Sequence, residues 1–224
     1  MFEIITKFGP TLLEAMGKTL TMAFYSLIFA SIIGLFFGVL AVVKSKICNI
    51  ISQVFVDIIR GVPMIVLAYF VFFGIPYACK NMLGFNLTLS ALEAGIICLS
   101  LNCGAYMAEI IRGGIQAVPK GQMEAARSLG LPYLTSMRQI ILPQAIRTMI
   151  PSIINQFIIT LKDTSILSII GFPELVNSAK GVVALTFKSF QVWAIVGIMY
   201  LIIITILSKL AKVLERRLSY DRKR

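Results

Sequence analysis

The stretch Glu-Ala-Ala-Arg-Ser-Leu-Gly-Leu-Pro-Tyr-Leu-Thr-Ser-Met-Arg-Gln-Ile-Ile-Leu-Pro, residues 124–143, is the polar centre of an otherwise apolar chain. It is rich in helix-forming residues, and Gly130 with Pro132 interrupts it in the way that is typical of a helix end. Ala125 and Ala126 carry almost no side chain, so a second protein surface can approach this backbone closely. The stretch therefore predicts a helix–turn–helix on the water side of a membrane protein.

On either side of this stretch the chain is strongly apolar. Of its 224 residues 58% are hydrophobic, and the mean hydropathy is +0.90, whereas soluble domains average about 45–50% apolar residues. A membrane-spanning helix needs about 20 largely apolar residues. We therefore predict an all-α polytopic membrane protein that forms one domain, residues 1–224, with 112–142 as a water-exposed loop. The five predicted spans cover residues 19–43, 50–74, 88–111, 143–162 and 189–209.

The segments outside the spans predict smaller features. Residues 1–18 carry a loose apolar stripe, which predicts a short amphipathic helix on the outer surface, broken at Pro10. In the first span, Gly34 and Gly38 are four residues apart and predict a small-residue face for close helix packing. A basic tail closes the chain after the last span.

The distribution of Lys and Arg predicts the orientation. With the N-terminus outside and the C-terminus in the cytoplasm, 15 of the 21 basic residues lie on the inner side, as the positive-inside rule requires. This orientation places the 124–143 stretch in the cytoplasm. It also explains the net charge of +11 by topology and contact with anionic lipid headgroups, without a nucleic-acid partner.

The residue types that usually perform catalysis or bind metals are sparse. The chain has no histidine, and its four cysteines, Cys48, Cys79, Cys98 and Cys103, show no metal-binding spacing. We expect neither a metal site nor a catalytic residue, and we expect the cysteines to behave as small apolar side chains. No phosphate-binding loop pattern is present, so the chain is not expected to hydrolyse ATP itself.

Charged residues inside the predicted spans are costly in lipid and indicate a protein interior or a water-filled cavity. Arg60 and Pro63 lie in the second span, where Pro63 predicts a bend with Arg60 facing inward. Two roles are open for Arg60, namely an ion pair with Asp57 or a part in gating. In the third span, Asn102 either forms an interhelical hydrogen bond or contacts a substrate.

The segment around Asp163 predicts a binding site. The apolar run from Thr164 to Pro173 is too short to span a membrane, so we expect a helix break there, with exposed N–H groups and the hydroxyls of Thr164 and Ser165 facing a substrate carboxylate. Asp163 would face an ammonium group. Gln156 is two helical turns earlier and faces the same cavity, and its neutral side chain argues against a strongly cationic substrate. The alternative is that Asp163 only anchors a helix end.

Four motifs resemble the permeases of ABC importers. The opening stretch is similar to the E-A-A…G…I-x-L-P loop of these proteins, and every signature position is filled, by Glu124, Ala125, Ala126, Gly130, Ile140, Leu142 and Pro143. Three further segments resemble the polar amino-acid importers, namely Arg-Gly-Val-Pro at 60–63, Leu-Asn-Cys-Gly-Ala-Tyr-Met-Ala-Glu-Ile-Ile-Arg-Gly at 101–113 and Leu-Lys-Asp-Thr-Ser-Ile-Leu-Ser-Ile-Ile-Gly at 161–171. Val62 stands where that family often has Thr.

The resemblance implies a fold, a function and partners. The fold would be that of a type I ABC-importer permease in a bacterial inner membrane, and the function would be import of a polar amino acid by alternating access. The E-A-A loop would dock into a dimer of cytoplasmic ATPase subunits, which would bind ATP and Mg in place of this chain. A second permease subunit, identical or paralogous, and an external solute-binding protein would complete the importer. The resemblance also implies that Asp163, Thr164 and Ser165 lie at the amino-acid site.

Two other functional classes are weighed against this one. An ion-coupled secondary transporter needs intramembrane carboxylates, and Asp57, Glu109 and Asp163 are the available ones, but the chain lacks a second inverted half. A structural membrane scaffold would give Asp163, Gln156 and Asn102 no function. Transport in proteoliposomes with and without an added ATPase distinguishes the three.

Overall fold

The computed structural model describes the backbone of residues 2–220 and the side chains of residues 2–213. The described part is helical and contains no strand. In chain order its helices are α1 (Phe2–Leu40), α2 (Lys46–Gly61), α3 (Met64–Met82), α4 (Ala91–Gln116), α5 (Lys120–Ser128), α6 (Tyr133–Ile170), α7 (Leu175–Thr186) and α8 (Ser189–Tyr220). The basic residues Arg222 to Arg224 of the predicted tail, and the side chains of Arg216 and Arg217, lie outside the described residues.

Within the described residues, five helices are long and apolar enough to cross a membrane, namely α1, α3, α4, α6 and α8. This confirms the predicted all-α class with five spans. The second span differs from its predicted bounds of 50–74, because the helix that begins at Lys46 ends at Gly61 and a new one begins at Met64. Pro63 is the reason. A proline excludes the preceding residue from helical geometry, and Val62 is extended, with φ −101° and ψ 131°.

The N-terminal prediction is wrong in its boundaries. Residues 1–18 do not form a separate surface helix, and α1 runs without interruption through Pro10. The buried side chains Ile4 and Leu12 pack against α7 and α8 in one apolar cluster, with Leu175 and Val192 among their partners. Interior proline costs a helix about 3 kcal/mol. Burial of several large apolar side chains, at about 1.5–3 kcal/mol each, offsets that cost.

Helices α1 and α4 pack closely against each other, and small residues allow the contact. A Cβ atom added at Gly34 would lie 2.5 Å from the Cβ of Met107, and one added at Gly104 would lie 2.7 Å from Ile33. Gly38 similarly faces Ile111. The predicted small-residue packing face on the first span is therefore confirmed, and its partner is the helix that carries Asn102.

Two prolines are accommodated by widened helical turns. The π-helical turns Phe70–Gly74 in α3 and Met137–Ile141 in α6 each end shortly before a proline, Pro76 and Pro143 respectively. A proline ring clashes with the carbonyl four residues earlier in a regular α-helix. The wider turn relieves this clash, so α6 continues from the loop to Ile170 as one element.

A buried carboxylate organises the connection between α6 and α8. Glu174 has an exposed fraction of 0%, and its side chain accepts hydrogen bonds from the backbone N–H groups of Val176 (2.8 Å) and Asn177 (2.6 Å) at the start of α7. Burial raises the pKa of Glu174 above its usual value, and the two N–H donors oppose that shift. The hydroxyl of Tyr200 lies 3.4 Å from the same carboxylate and ties α8 to this cap.

Candidate functional site

A cavity of about 480 Å³ lies where α2, α3, α4 and α6 approach one another, and we call it the central cavity. It brings together five residues that the sequence singled out, namely Arg60, Pro63, Asn102, Gln156 and Asp163. These residues come from α2, from the linker before α3, from α4 and from α6, so only the packing of those segments makes them neighbours. The cavity has an acidic side chain, a basic side chain and two amides on its wall, and these can bind both charged groups of a zwitterion.

The irregular backbone at the cavity is at Gly61, Val62 and Pro63. Non-helical backbone at membrane depth is tolerated where it lines a cavity. The helix α3 starts here, at Met64, so the positive end of its dipole lies at the cavity wall. The helix break expected at Thr164 is not found there. The backbone N–H of Thr164 donates to the carbonyls of Lys162 and Thr160, and the chain continues as a 3₁₀ helix to Ile170.

Two predicted site residues do not line the central cavity. Thr164 has an exposed fraction of 0%, and its hydroxyl donates to the Leu161 carbonyl at 2.7 Å. Ser165 faces a different groove beside α8, and its hydroxyl donates to the Lys162 carbonyl at 2.7 Å. Both hydroxyls satisfy the backbone at the transition from α-helix to 3₁₀ helix, where bonding to a carbonyl of the preceding turn is a common use of Ser and Thr.

Arg60 pairs with a residue that the local sequence does not suggest. Its Nη1 lies 3.3 Å from Oε2 of Glu109 on α4, and its guanidinium lies 4.9 Å from the ring centre of Tyr106. Of the two roles left open for Arg60, the ion pair with Asp57, three residues earlier, is therefore replaced by a contact across helices. Glu109 is also held by Arg112, which donates from Nε at 2.8 Å and from Nη2 at 2.9 Å.

Sequence reasoning missed Tyr106 and Glu109 as cavity-side residues. A signal for them exists in the spacing, because Asn102, Tyr106 and Glu109 are four and three residues apart and so share one face of α4. Asn102 and Tyr106 line the central cavity, and Glu109 lines the next cavity along the same face. This polar stripe is the face of α4 that lines both cavities.

The two amides in the cavity are held differently. Gln156 has an exposed fraction of 6%, and its side chain contacts the thiol of Cys103. Asn102 is half-buried, and its Nδ2 lies 3.9 Å from the sulfur of Met64, a weak acceptor. A sulfur contact satisfies little of the hydrogen-bonding capacity of an amide, so Asn102 retains capacity for a polar ligand.

The helix–turn–helix predicted at 124–143 is formed by α5, by the turn around Gly130 and by the start of α6, and we call the segment between α4 and α6, residues 117–132, the 117–132 loop. At the end of α5 the N–H of Gly130 donates to the Arg127 carbonyl at 3.0 Å, and the N–H of Leu131 donates to the Ala126 carbonyl at 3.2 Å. These are the two bonds of a Schellman motif, and Gly130 has the left-handed φ of +81° that this motif places after a helix. The guanidinium of Arg127 donates to the Leu131 carbonyl at 2.9 Å and braces the same turn.

The seven signature residues of the 124–143 stretch differ in burial. Ala126 is buried and Ile140 is half-buried, and Ile140 joins the apolar cluster at the ends of α4 and α6. Leu142 is also half-buried. Glu124, Ala125, Gly130 and Pro143 are exposed. Beside them, the side chains of Leu129 and Leu134 have exposed fractions of 83% and 79%, so an apolar pair stands out on a polar surface.

Three of the four cysteines, Cys79, Cys98 and Cys103, are buried, and Cys48 is half-buried. All four are free thiols, and their burial agrees with the expected apolar packing role. Across the described residues no group of acidic, Cys or His side chains is arranged to hold a metal ion.

Five apolar helices, a polar cavity among them and an exposed helical loop define a transport subunit of a membrane. The sequence agrees with this class, since residues 12–220 match the family described as binding-protein-dependent transport system inner membrane component. The chain belongs to this family.

Curated relatives carry more specific names. The glutamine transport system permease protein GlnP of Escherichia coli strain K12 is 36% identical over 209 residues, which cover 93% of each chain. The putative glutamine transport system permease protein GlnP of Rickettsia felis is 34% identical over 221 residues, covering 97% of this chain and 99% of that one.

Solved structures give the same result at the level of the fold. A chain from a crystal structure of an amino acid ABC transporter with histidines superposes with a TM-score of 0.88 at 34% identity, over 97% of this chain and 98% of that one. A chain of the MetNI methionine ABC transporter superposes with a TM-score of 0.74 at 22% identity, over 92% and 95%, which shows a shared fold. Together these comparisons confirm the predicted family, the multi-pass permease subunits of amino-acid ABC importers in the inner membrane.

Proposed function

We propose that this chain moves a polar amino acid across the inner membrane by alternating access, driven by ATPase subunits that grip its 117–132 loop. The observation that supports the proposal is the central cavity. Asp163 and Arg60 both line it, in a chain that belongs to this transport family. A free amino acid has an ammonium and a carboxylate, and the cavity offers a partner for each.

The substrate contacts follow from the charges. Asp163 would bind the ammonium group, and Arg60 with the N-terminus of α3 would bind the carboxylate. Gln156 and Asn102 would read the substrate side chain. Because both are neutral amides, they match a neutral polar side chain better than a cationic one. L-glutamine is the first ligand to test, since relatives that are 34–36% identical are named as glutamine permeases.

The coupling step would use α6 as a lever. This helix begins at Tyr133, directly after the Gly130 turn, and continues to Ile170, passing Gln156 and Asp163. A push on the exposed loop would therefore reach the cavity through one continuous element. The exposed Leu129 and Leu134 beside Glu124 would fill a cleft on the ATPase surface. ATP and Mg would be bound by the ATPase dimer.

The partners complete the pathway. Five helices from one chain form a thin wall, so a second permease subunit, identical or paralogous, would enclose the cavity from the other side. An external solute-binding protein would deliver the amino acid. The N-terminus would lie outside and the C-terminus in the cytoplasm, because this orientation puts most basic residues and the 117–132 loop inside.

Reconstitution into proteoliposomes tests the proposal. With the ATPase, the solute-binding protein and lumenal ATP present, labelled L-glutamine should accumulate in the vesicles, and omission of the ATPase or of ATP should abolish the accumulation. Uptake driven by an ion gradient without the ATPase would instead favour the secondary transporter, and no uptake of any amino acid under either condition would favour the scaffold.

A further inference from the structure

A second polar cavity lies next to the central one, on the side of the 117–132 loop, and we call it the exit cavity. Its volume is about 320 Å³, and it is enclosed by the end of α1, by α2 and by the last turns of α4. Its charged wall consists of Asp57, Arg60, Glu109 and Arg112. It lies toward the loop because α4 runs from Asn102 in the central cavity to Gln116 in the exit cavity and ends there.

Arg60 is the one side chain of this charged set that lines both cavities. Its contact with Glu109 is a single one at 3.3 Å, whereas Arg112 holds both oxygens of the same carboxylate at 2.8 and 2.9 Å. A two-point Arg–carboxylate pair is stronger and better oriented than a one-point contact. Glu109 therefore keeps a strong partner when Arg60 moves, and Arg60 is the movable member of the network.

We propose that the exit cavity is a second, weaker amino-acid site, which receives the substrate after the central cavity. This inference rests on the proposed function. Arg60 keeps its contact with the substrate carboxylate as the molecule moves from one cavity to the next. Asp57 then binds the ammonium group, taking the role that Asp163 has in the central cavity.

The chemistry of the wall supports a zwitterion as the ligand. Besides the two acids and two bases, the wall carries Gln53, Asn49 and Gln116, which are neutral hydrogen-bonding side chains. Gln53, Asp57 and Arg60 are four and three residues apart, so α2 presents one polar face to the cavity. Binding is weaker here because Glu109 and Arg112 already satisfy each other.

Counting of binding sites tests the inference. Labelled L-glutamine is titrated, up to millimolar concentration, into the nucleotide-free complex of permease and ATPase in nanodiscs. The wild type should bind two molecules per permease chain, and Asp57→Asn and Asp163→Asn should each bind one. Glu14→Gln is the matched control, since it removes an exposed carboxylate paired with Lys18 outside both cavities and should still bind two.

The outcomes separate this inference from the proposed function. One site per chain that is lost in Asp163→Asn and kept in Asp57→Asn would overturn the exit site and leave the central site standing. One site that is lost in Asp57→Asn and kept in Asp163→Asn would overturn the central site. No binding to the wild type would overturn both for this ligand.

A kinetic measurement tests whether the exit site lies on the transport path. In proteoliposomes Asp57→Asn should lower the maximal uptake rate several-fold with little change in KM, because delivery and central binding precede the exit step. Elution of the variant complex at the wild-type volume in gel filtration shows that it has folded and assembled. An unchanged maximal rate from the assembled variant would overturn the relay.

Discussion

The 117–132 loop and the central cavity lie near opposite ends of α6, and they are built by opposite rules. In the loop, every defining bond joins residues within five positions of each other, such as Gly130 to Arg127 and Leu131 to Ala126. In the cavity, Arg60 reaches Glu109 on another helix, and Asp163 comes from a third. The loop is therefore a rigid local unit suited to being gripped, whereas the cavity exists only while the helices are correctly packed. Under the proposed function, a lever between two such regions would transmit force without deforming the end that is pushed.

The largest expected effect is at the cavity end. Asp163→Asn should lower ATP-driven uptake of L-glutamine by roughly 30-fold or more, since loss of one partner of a buried charge pair costs about 2 kcal/mol at least. Assembly with the ATPase should be unchanged because the residue is far along α6 from the loop. Uptake rates and co-purification are measured side by side, with Glu14→Gln as the control. Normal uptake would show that Asp163 only anchors the helix end, and the central cavity would then not be the substrate-binding region that the comparison with the loop assumes.

The next effect is at the loop end. Glu124→Lys should weaken co-purification of the ATPase by about tenfold, which corresponds to about 1.4 kcal/mol, because an exposed acidic residue of the docking surface is replaced by a basic one. Glutamine binding in the central cavity should be unchanged. Glu14→Lys makes the same charge change away from the loop and should have no effect on docking. Wild-type affinity of Glu124→Lys for the ATPase would show that the grip lies elsewhere.

A pair of glycines tests the claim that the loop is built locally. Gly130 and Gly121 both face open space, but only Gly130 has a positive φ, of +81°. Gly130→Ala should cost about 1–2 kcal/mol in thermal unfolding and weaken docking, because an L-residue in this conformation is strained. Gly121→Ala lies within α5 and should be neutral or stabilising by up to about 1 kcal/mol. Equal effects of the two changes would contradict the role of the Gly130 turn.

The smallest effect concerns a buried carboxylate outside the cavity, Glu174. Its raised pKa means that the folded protein binds this proton more tightly than the unfolded chain, so its contribution to stability falls as pH rises from the usual value of 4.5 through the raised one. Glu174→Gln removes the buried charge but keeps only one side-chain oxygen, whereas the two carboxylate oxygens serve the N–H groups of Val176 and Asn177 separately. It should flatten the dependence of thermal stability on pH above 4.5 and change the stability at pH 7 by at most about 1 kcal/mol, because the lost hydrogen bond offsets the removal of the buried charge. A loss of several kcal/mol at pH 7 would show that the charge itself is needed for the cap.

Much of the fold could be predicted because its signals are local or compositional. The five apolar spans, the turn at Gly130 and the interruption at Pro63 follow from hydropathy and from the geometry of glycine and proline. The first span shows the limit of such rules. Pro10 predicts a break, yet α1 continues through it, because packing of Ile4 and Leu12 against α7 and α8 outweighs the local cost.

The site could be predicted in part. Arg60, Pro63, Asn102, Gln156 and Asp163 were found because polar residues in apolar spans are expensive, and the structure places all five around the central cavity. Thr164 and Ser165 do not line this cavity, because the chain remains helical through Thr164 and the non-helical backbone is at Gly61–Pro63. Tyr106 and Glu109 were missed as partners of Arg60, because their contact joins residues more than forty positions apart.

By itself the sequence determined that this is a five-span permease of the amino-acid importer family, with one exposed loop and a few intramembrane polar residues. Hydropathy, turn geometry and family motifs carry that information because each is written in neighbouring residues. Only the tertiary structure decided which charges meet. Arg60 forms its ion pair with Glu109 and not with Asp57, which is nearer in sequence, because the packing of α4 against α2 brings the Glu109 carboxylate within reach. In this position Arg60 lines both cavities. A charged side chain pairs with the partner that the packed helices present, whatever its distance along the chain.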